Sequence, residues 1–220
     1  MRRALVAVSV VAALVLAGCG SSSKPKESTT TSEAKDAGDD AFFAPLPPTG
    51  DVLSLVKSAG LDAETAESLQ HHVHAHLDIL VNGRHKLVPG GVGIVITDKQ
   101  VHHGKVGGFD AYGGIGTPCS NPCISPLHTH DATGTLHTES ATAQDNTLGQ
   151  FFKEWDVTLD ANCVGDHCAP DTPIMVYVDG KPVALDKAAD IPLTDQTEIA
   201  IVIGKAPATV PSTPDFQGAA

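Results

Sequence analysis

His72-Val73-His74-Ala75-His76-Leu77-Asp78-Ile79-Leu80-Val81-Asn82-Gly83 decides how this chain is read. Its polarity changes at every step. Val73, Ala75, Leu77, Ile79 and Val81 fall on one face of an extended strand, and His72, His74, His76 and Asp78 on the other, because successive strand residues point to opposite sides. Asn82-Gly83 is the pair that a two-residue hairpin turn favours. A return strand then runs from Arg84 to about Val88, where Pro89-Gly90-Gly91 breaks it. A strand face bearing three histidines and an aspartate is either a solvated sheet surface or one wall of a ligand site.

The segment Leu127 to Glu139 reads as a second hairpin, with Asp131-Ala132-Thr133-Gly134 at its tip. A turn at Ala132-Thr133 sets His128 opposite His137 and His130 opposite Thr135. His128, His130, His137 and Glu139 then project from one side. Directly opposed Cβ atoms lie roughly 5 Å apart and metal–nitrogen bonds are about 2.0–2.1 Å, so two such rings reach one ion. The expected metal ligands are His74, His76, His128, His130, His137 and Glu139. His72 and Asp78 are held in reserve. Asp131 falls on the opposite face and reads as a turn residue or as an orienting partner of a metal-bound histidine. Imidazole with carboxylate suits zinc, copper(II), nickel or iron(II), whereas calcium or magnesium takes mostly oxygen ligands. Zinc or copper is the expected cofactor. The shared site depends on the two hairpins converging, which spacing alone does not fix. His71, His85, His102, His103 and His167 lie outside the pattern.

Working outward, the fold class is mainly β: antiparallel hairpins forming a sandwich or barrel-like sheet, with short helices near 51–70 and 147–155. Asp51 and Asp62 can cap two short helical stretches separated by Gly60. Val92 to Thr97 reads as a short strand and the glycine-rich Gly104 to Gly116 as a mobile loop. Thr147 and Gln150 have capping-box spacing at the start of a helix, whose Phe151, Phe152 and Trp155 supply most of the aromatic burial. Asp156–Leu159, Ile174–Asp179, Lys181–Leu185 and Glu198–Ile203 complete the strands, with Asp179-Gly180 as another hairpin turn.

The chain has 220 residues, 26 acidic against 14 basic side chains, and a formal net charge of −12. That balance excludes nucleic acid as a partner, since phosphate binding needs clustered Lys and Arg. At 41% hydrophobic the chain can bury a core. All 11 histidines lie between His71 and His167.

Arg2-Arg3, the apolar run Ala4 to Leu16 and then Leu16-Ala17-Gly18-Cys19 resemble, in order, the leader and lipobox of bacterial lipoproteins. The resemblance implies a signal peptide over 1–18, lipidation of Cys19, and a membrane anchor on the extracytoplasmic side. Loss of Arg2 and Arg3 with the leader would take the charge from −12 to −14. Residues 19–49 read as the lipidated cysteine and a flexible linker. Residues 50–204 form the His-rich domain, and 205–220 a loose C-terminal tail. The remaining cysteines, Cys119, Cys123, Cys163 and Cys168, are even in number in an oxidising compartment. They read as two disulfides, for which short local pairings are the simplest of three connectivities. Cys119-x-x-x-Cys123 near histidines also resembles the copper ligand set of Sco-type copper chaperones.

The phrases His74 to Gly83, His128 to Glu139 and Thr147 to Trp155 resemble a family of secreted or membrane-anchored bacterial domains without an established activity, over about 70 to 204. That implies a His-rich centre and no particular reaction. The functional expectation is a lipid-anchored extracytoplasmic protein that holds a transition metal for uptake, buffering or delivery. The alternatives are a metal-dependent hydrolase of the cell envelope, with Glu139 or Asp131 as general base, and a structural envelope domain without metal.

Overall fold

The structure, a computed structural model, describes residues 51–216. Residues 1–50, on which the expected leader 1–18, lipidated Cys19 and linker 19–49 fall, lie outside the described residues, as do 217–220. The fold is mainly β. It opens with helix α1 (Val52–Ser58) and strands β1 (His71–Val81), β2 (Arg84–Lys86), β3 (His102–Val106), β4 (Phe109–Gly113), β5 (Leu127–His128) and β6 (Thr135–Ser140). It continues with α2 (Leu148–Glu154), β7 (Cys163–Val164), β8 (His167–Cys168), β9 (Ile174–Val178), β10 (Lys181–Val183), a 3-10 turn (Leu185–Asp190) and β11 (Thr197–Ile203).

Seven of these strands make one sheet, ordered β10-β9-β11-β1-β6-β5, with β2 also paired to β1. β1 is long enough to change partners along one edge: His71–His76 pair antiparallel with β6, and Ile79–Val81 with β2. Its other edge runs parallel to β11, with Ala75 against Thr197 through Val81 against Ile203. The sheet is therefore mixed and does not close into a barrel. Every residue of β11 is buried, as expected of a strand covered on both faces.

Period two divides the sheet's faces. Ala75, Leu77 and Ile79 of β1, Leu136 of β6, and Ile199, Ile201 and Ile203 of β11 belong to the main core with Val52 and Val56 of α1. Leu148, Phe151, Phe152 and Trp155 of α2 fill the same core, and the last three form a cluster of tilted and edge-on rings. Burying a large apolar side chain contributes on the order of 1.5–3 kcal/mol, so α2 is a principal anchor of this face. Its start is the capping box expected from sequence: Gln150 N donates to Thr147 Oγ1, and Thr147 N donates to Gln150 Oε1 at 2.9 Å. The opposite face carries His72, His74 and His76 on β1, His137 and Glu139 on β6, and Glu198 on β11.

The hairpin turns predicted at Asn82-Gly83 and Asp179-Gly180 form, with positive φ at all four residues. Both local disulfides form, Cys119–Cys123 and Cys163–Cys168, so the copper-chaperone resemblance of the first pair has no free thiolates to act through. Cys119 and Cys123 pack in a small second core with Ile94, Val101, Ile115 and Ile124.

Four elements depart from the sequence reading. The stretch 62–70 is not helical, because its backbone pairs elsewhere: Glu64 N donates to Ile124 O at 2.7 Å, and Cys123 N donates to Glu64 O at 2.7 Å. Val92–Thr97 is a series of turns, buried over Val92–Ile94, with one bridge at Ile94, since Gly91 and Gly93 take positive φ and interrupt an extended run. Gly104–Gly116 is largely the ordered hairpin β3–β4, in register from His102–Gly113 to Val106–Phe109. Asp156–Leu159 keeps only the isolated bridge of Leu159 to Val164.

Candidate metal centre

The hairpins converge because β6 lies between β5 and β1. Its register sets His137 opposite His128 on one side and His74 on the other, and sets Glu139 opposite His72. Three histidines thus stand in a row across three strands, with a carboxylate in the next row. His128, His130, His137 and Glu139 each offer a ligand atom within 4.8 Å of the others. Three of these four are buried: His128 at 0%, His137 at 3% and Glu139 at 4% exposure. His130 lies beyond β5 and does not pair with Thr135, since the connection spans 129–134; it turns into the same site from the loop.

Backbone carbonyls fix the two rings of the His128-x-His130 pair. His128 Nδ1 donates to Ser125 O at 2.9 Å and His130 Nδ1 to Tyr112 O at 2.7 Å. A carbonyl oxygen only accepts, so both Nδ1 atoms carry a proton in these bonds. The outer partner thereby fixes which nitrogen faces a metal. The two Nε2 atoms turn inward, 3.3 Å apart. Glu139 Oε1 is 3.8 Å from His130 Nε2, 3.9 Å from His128 Nε2 and 3.3 Å from His137 Nδ1. Buried His137 Nδ1 and Glu139 Oε2 make no hydrogen bond among the described residues. Buried polar atoms are ordinarily satisfied; these two are not, and both belong to the same ligand group.

The protonation states suit cation binding. Burial drives the imidazolium form out of His128 and brings His137 down to about 4. Burial also opposes ionisation of Glu139, but the rings of His130, His137 and His128 close around it win and hold the carboxyl well below its usual range. Burial resists charging of His130 too; Glu139 and the Tyr112 carbonyl outweigh it and raise the pKa.

The β3–β4 hairpin builds this arrangement. Gly113 (φ 135°) lies so close that a Cβ there would meet the His130 ring, at 2.6 Å from Cε1, and Glu67 Oε1 at 3.0 Å. The glycine-rich segment therefore packs against a ligand. Between this hairpin and the sheet opens a cleft of about 400 Å³, lined among others by Glu67, His72, His102, Tyr112, His130 and Glu139. The centre meets solvent through it.

His74 and His72 flank the centre from β1. Their Nε2 atoms are 2.8 Å apart, and His72 Nε2 is 3.2 Å from Glu139 Oε1. His76, by contrast, is not in the ligand set. Its partner across β6 is Thr135 and across β11 is Glu198. Its Nδ1 is 2.8 Å from Glu198 Oε2, and its Nε2 donates to Thr133 O at 3.0 Å, so both nitrogens are occupied. Burial opposes its charged form, but Glu198 more than compensates and raises its pKa. His76, Asp78 and Glu198 form their own group, and Asp78 accepts from exposed His85 at 3.0 Å. The reserve candidate Asp78 is therefore remote from the centre. Asp131 accepts from Thr133 N at 2.8 Å and shapes the turn; it does not orient a ligand. Glu198 was missed in the sequence, since nothing local marks a glutamate in an apolar strand as the neighbour of His76. Phe216, near the end of the described chain, lies against His74 and His76 with ring centroids 5.9 and 6.1 Å away.

No protein-family model, curated protein or solved structure matches this chain. The function is therefore argued from the site.

Proposed function

We propose that the chain is an extracytoplasmic lipoprotein that holds a transition-metal ion, zinc or copper, for uptake, buffering or delivery. His128, His130, His137 and Glu139 are the ligands. One observation carries the reading: three imidazoles and a carboxylate converge in a buried pocket, with the Nδ1–H groups of His128 and His130 donating to backbone carbonyls so that their Nε2 atoms are the ones left to face a metal. Nitrogen ligands with one carboxylate and no thiolate suit these metals. The two disulfides favour an oxidising compartment, and the lipobox-like Leu16-Ala-Gly-Cys19 supports lipid anchoring there.

The test is elemental analysis of the chain purified without a polyhistidine tag, after exposure to micromolar zinc or copper and removal of free ion. A stoichiometric ion is expected, and its loss in His128→Ala/His130→Ala. A chain that retains no metal, or a variant that keeps the parent's metal, contradicts the assignment. The cleft beside His130 and Glu139 favours a second reading, a metal-dependent hydrolase whose metal-bound water opens on that cleft. Metal-dependent turnover of ester or phosphoester probes, lost with the same ligands, distinguishes it from a carrier.

A further inference from the structure

We propose that the centre holds two transition-metal ions, the second bound by His72 and His74 and joined to the first through Glu139. This rests on the reading of His128, His130, His137 and Glu139 as a metal site and extends it.

Three observations carry the proposal. The first is an excess of ligands. A tetrahedral ion is satisfied by four, and His128, His130, His137 and Glu139 supply them. His72 and His74 remain, with their Nε2 atoms 2.8 Å apart, and His72 Nε2 lies 3.2 Å from Glu139 Oε1. They also form a compact group of their own with His137, all ligand atoms lying within 4.8 Å.

The second is topological. β6 is the middle strand of three, so it has a gap on each side. Neighbouring strands lie about 4.7–4.9 Å apart. The β5 side provides His128 and His130; the β1 side provides His72 and His74. His137, common to both groups, and Glu139, which approaches His72 as well as His128, come from the strand between. Paired ions in two-metal sites lie roughly 3.5–4 Å apart, comparable with one inter-strand step.

The third is the carboxylate. Glu139 Oε1 is within 3.9 Å of ring nitrogens from both sides, at 3.2 Å from His72 and 3.9 Å from His128. Its other oxygen, Oε2, is buried without a hydrogen bond. A carboxylate has two oxygens for two ions and places negative charge between them. Further carboxylates border the centre. Asp195 accepts from His74 N at 3.2 Å, and Glu67, which accepts from Gly114 N at 2.8 Å, lines the cleft beside His72 and His130. Both ring nitrogens of His76 are engaged, by Glu198 Oε2 and Thr133 O, so it has none left for either ion.

The experiment counts ions and asks whether they interact. Zinc bound per chain is measured by elemental analysis for the parent and for His72→Gln/His74→Gln, with near-ultraviolet circular dichroism confirming the fold. Two ions in the parent and one in the variant are expected. In the Cu(II) form, the parent is expected to lose electron paramagnetic resonance intensity through coupling, and the variant to show one full-intensity copper. One ion in the parent overturns the second site and leaves the first standing. No ion overturns both. Two ions in parent and variant alike, or two uncoupled coppers in the parent, overturn the proposed placement. Should the double variant lose its fold, His72→Gln alone, at a partly exposed ring, repeats the count.

Discussion

At pH 8 a Glu154→Gln variant is expected to exceed the parent in stability by roughly 4 kcal/mol, and near pH 4 the two are expected to match. Glu154 ends α2 and is 1% exposed. Its Oε1 accepts from Ser125 Oγ at 2.6 Å, while Oε2 has no hydrogen-bond partner among the described residues. Burial pushes the carboxyl up to about 8, against the opposing pull of the Ser125 bond. An unfolded glutamate titrates near 4.3, so between about 4.3 and 8 the folded state holds a proton that the unfolded state releases. Stability is lost as the pH rises through that window, at about 1.4 kcal/mol per unit.

Glutamine is neutral throughout and removes this loss. His128 and His137 act in the other direction. Their folded pKa values are depressed, so the unfolded state takes up protons first as the pH falls below about 6.5, and stability falls with it. Parent and variant share that behaviour, and their difference isolates Glu154. Urea unfolding followed by Trp155 fluorescence across this range measures it. A parent–variant difference independent of pH would mean that Glu154 is ionised in the fold. The residue matters to the site because Ser125, which it holds, presents its carbonyl to His128 Nδ1.

The second large effect concerns Glu139→Gln. The substitution keeps the size of the side chain, removes its charge and puts an amide donor among ring nitrogens that need to donate electrons to a cation. Loss of an outer partner of a metal ligand lowers affinity about 10–100-fold; removal of the central carboxylate is expected to exceed that range. Asp78→Asn and Asp131→Asn, both in the original set of candidates, are expected to leave affinity within a few-fold. Asp78 serves His85 and Asp131 serves the turn. Competition titrations against a chelator of known affinity compare the three. Equal losses in all of them would reduce the contribution of Glu139 to general surface charge.

The legibility of this chain divides along the range of the interactions. Alternation over 72–81 identified both faces of β1, and Asn82-Gly83 its turn, because these depend on adjacent residues. The turn at Ala132-Thr133 gave the correct pairing of His128 with His137. Period two tells which residues share a face, not which strands lie side by side. Hence His76 was grouped with the other strand-face histidines, although β11 places Glu198 beside it. The helix expected over 62–70 yielded to backbone pairing of Glu64 and Thr65 with the Cys119–Ile124 loop, a partner far away in sequence that overrides local propensity. The glycines of 104–116 suggested mobility; they instead permit the close approach of Gly113 to His130. Six of the nine proposed ligands and partners, His72, His74, His128, His130, His137 and Glu139, join two ligand groups that share His137. His76, Asp78 and Asp131 do not.

X-ray absorption at the edge of the bound metal tests the central claim most directly. For zinc-loaded protein the account predicts imidazole backscattering with nitrogen at about 2.0–2.1 Å, oxygen at about 2.0–2.2 Å, and no sulfur shell near 2.3 Å, since the four cysteines of the described domain are bonded in pairs. A sulfur shell, or an all-oxygen shell without imidazole, would contradict it.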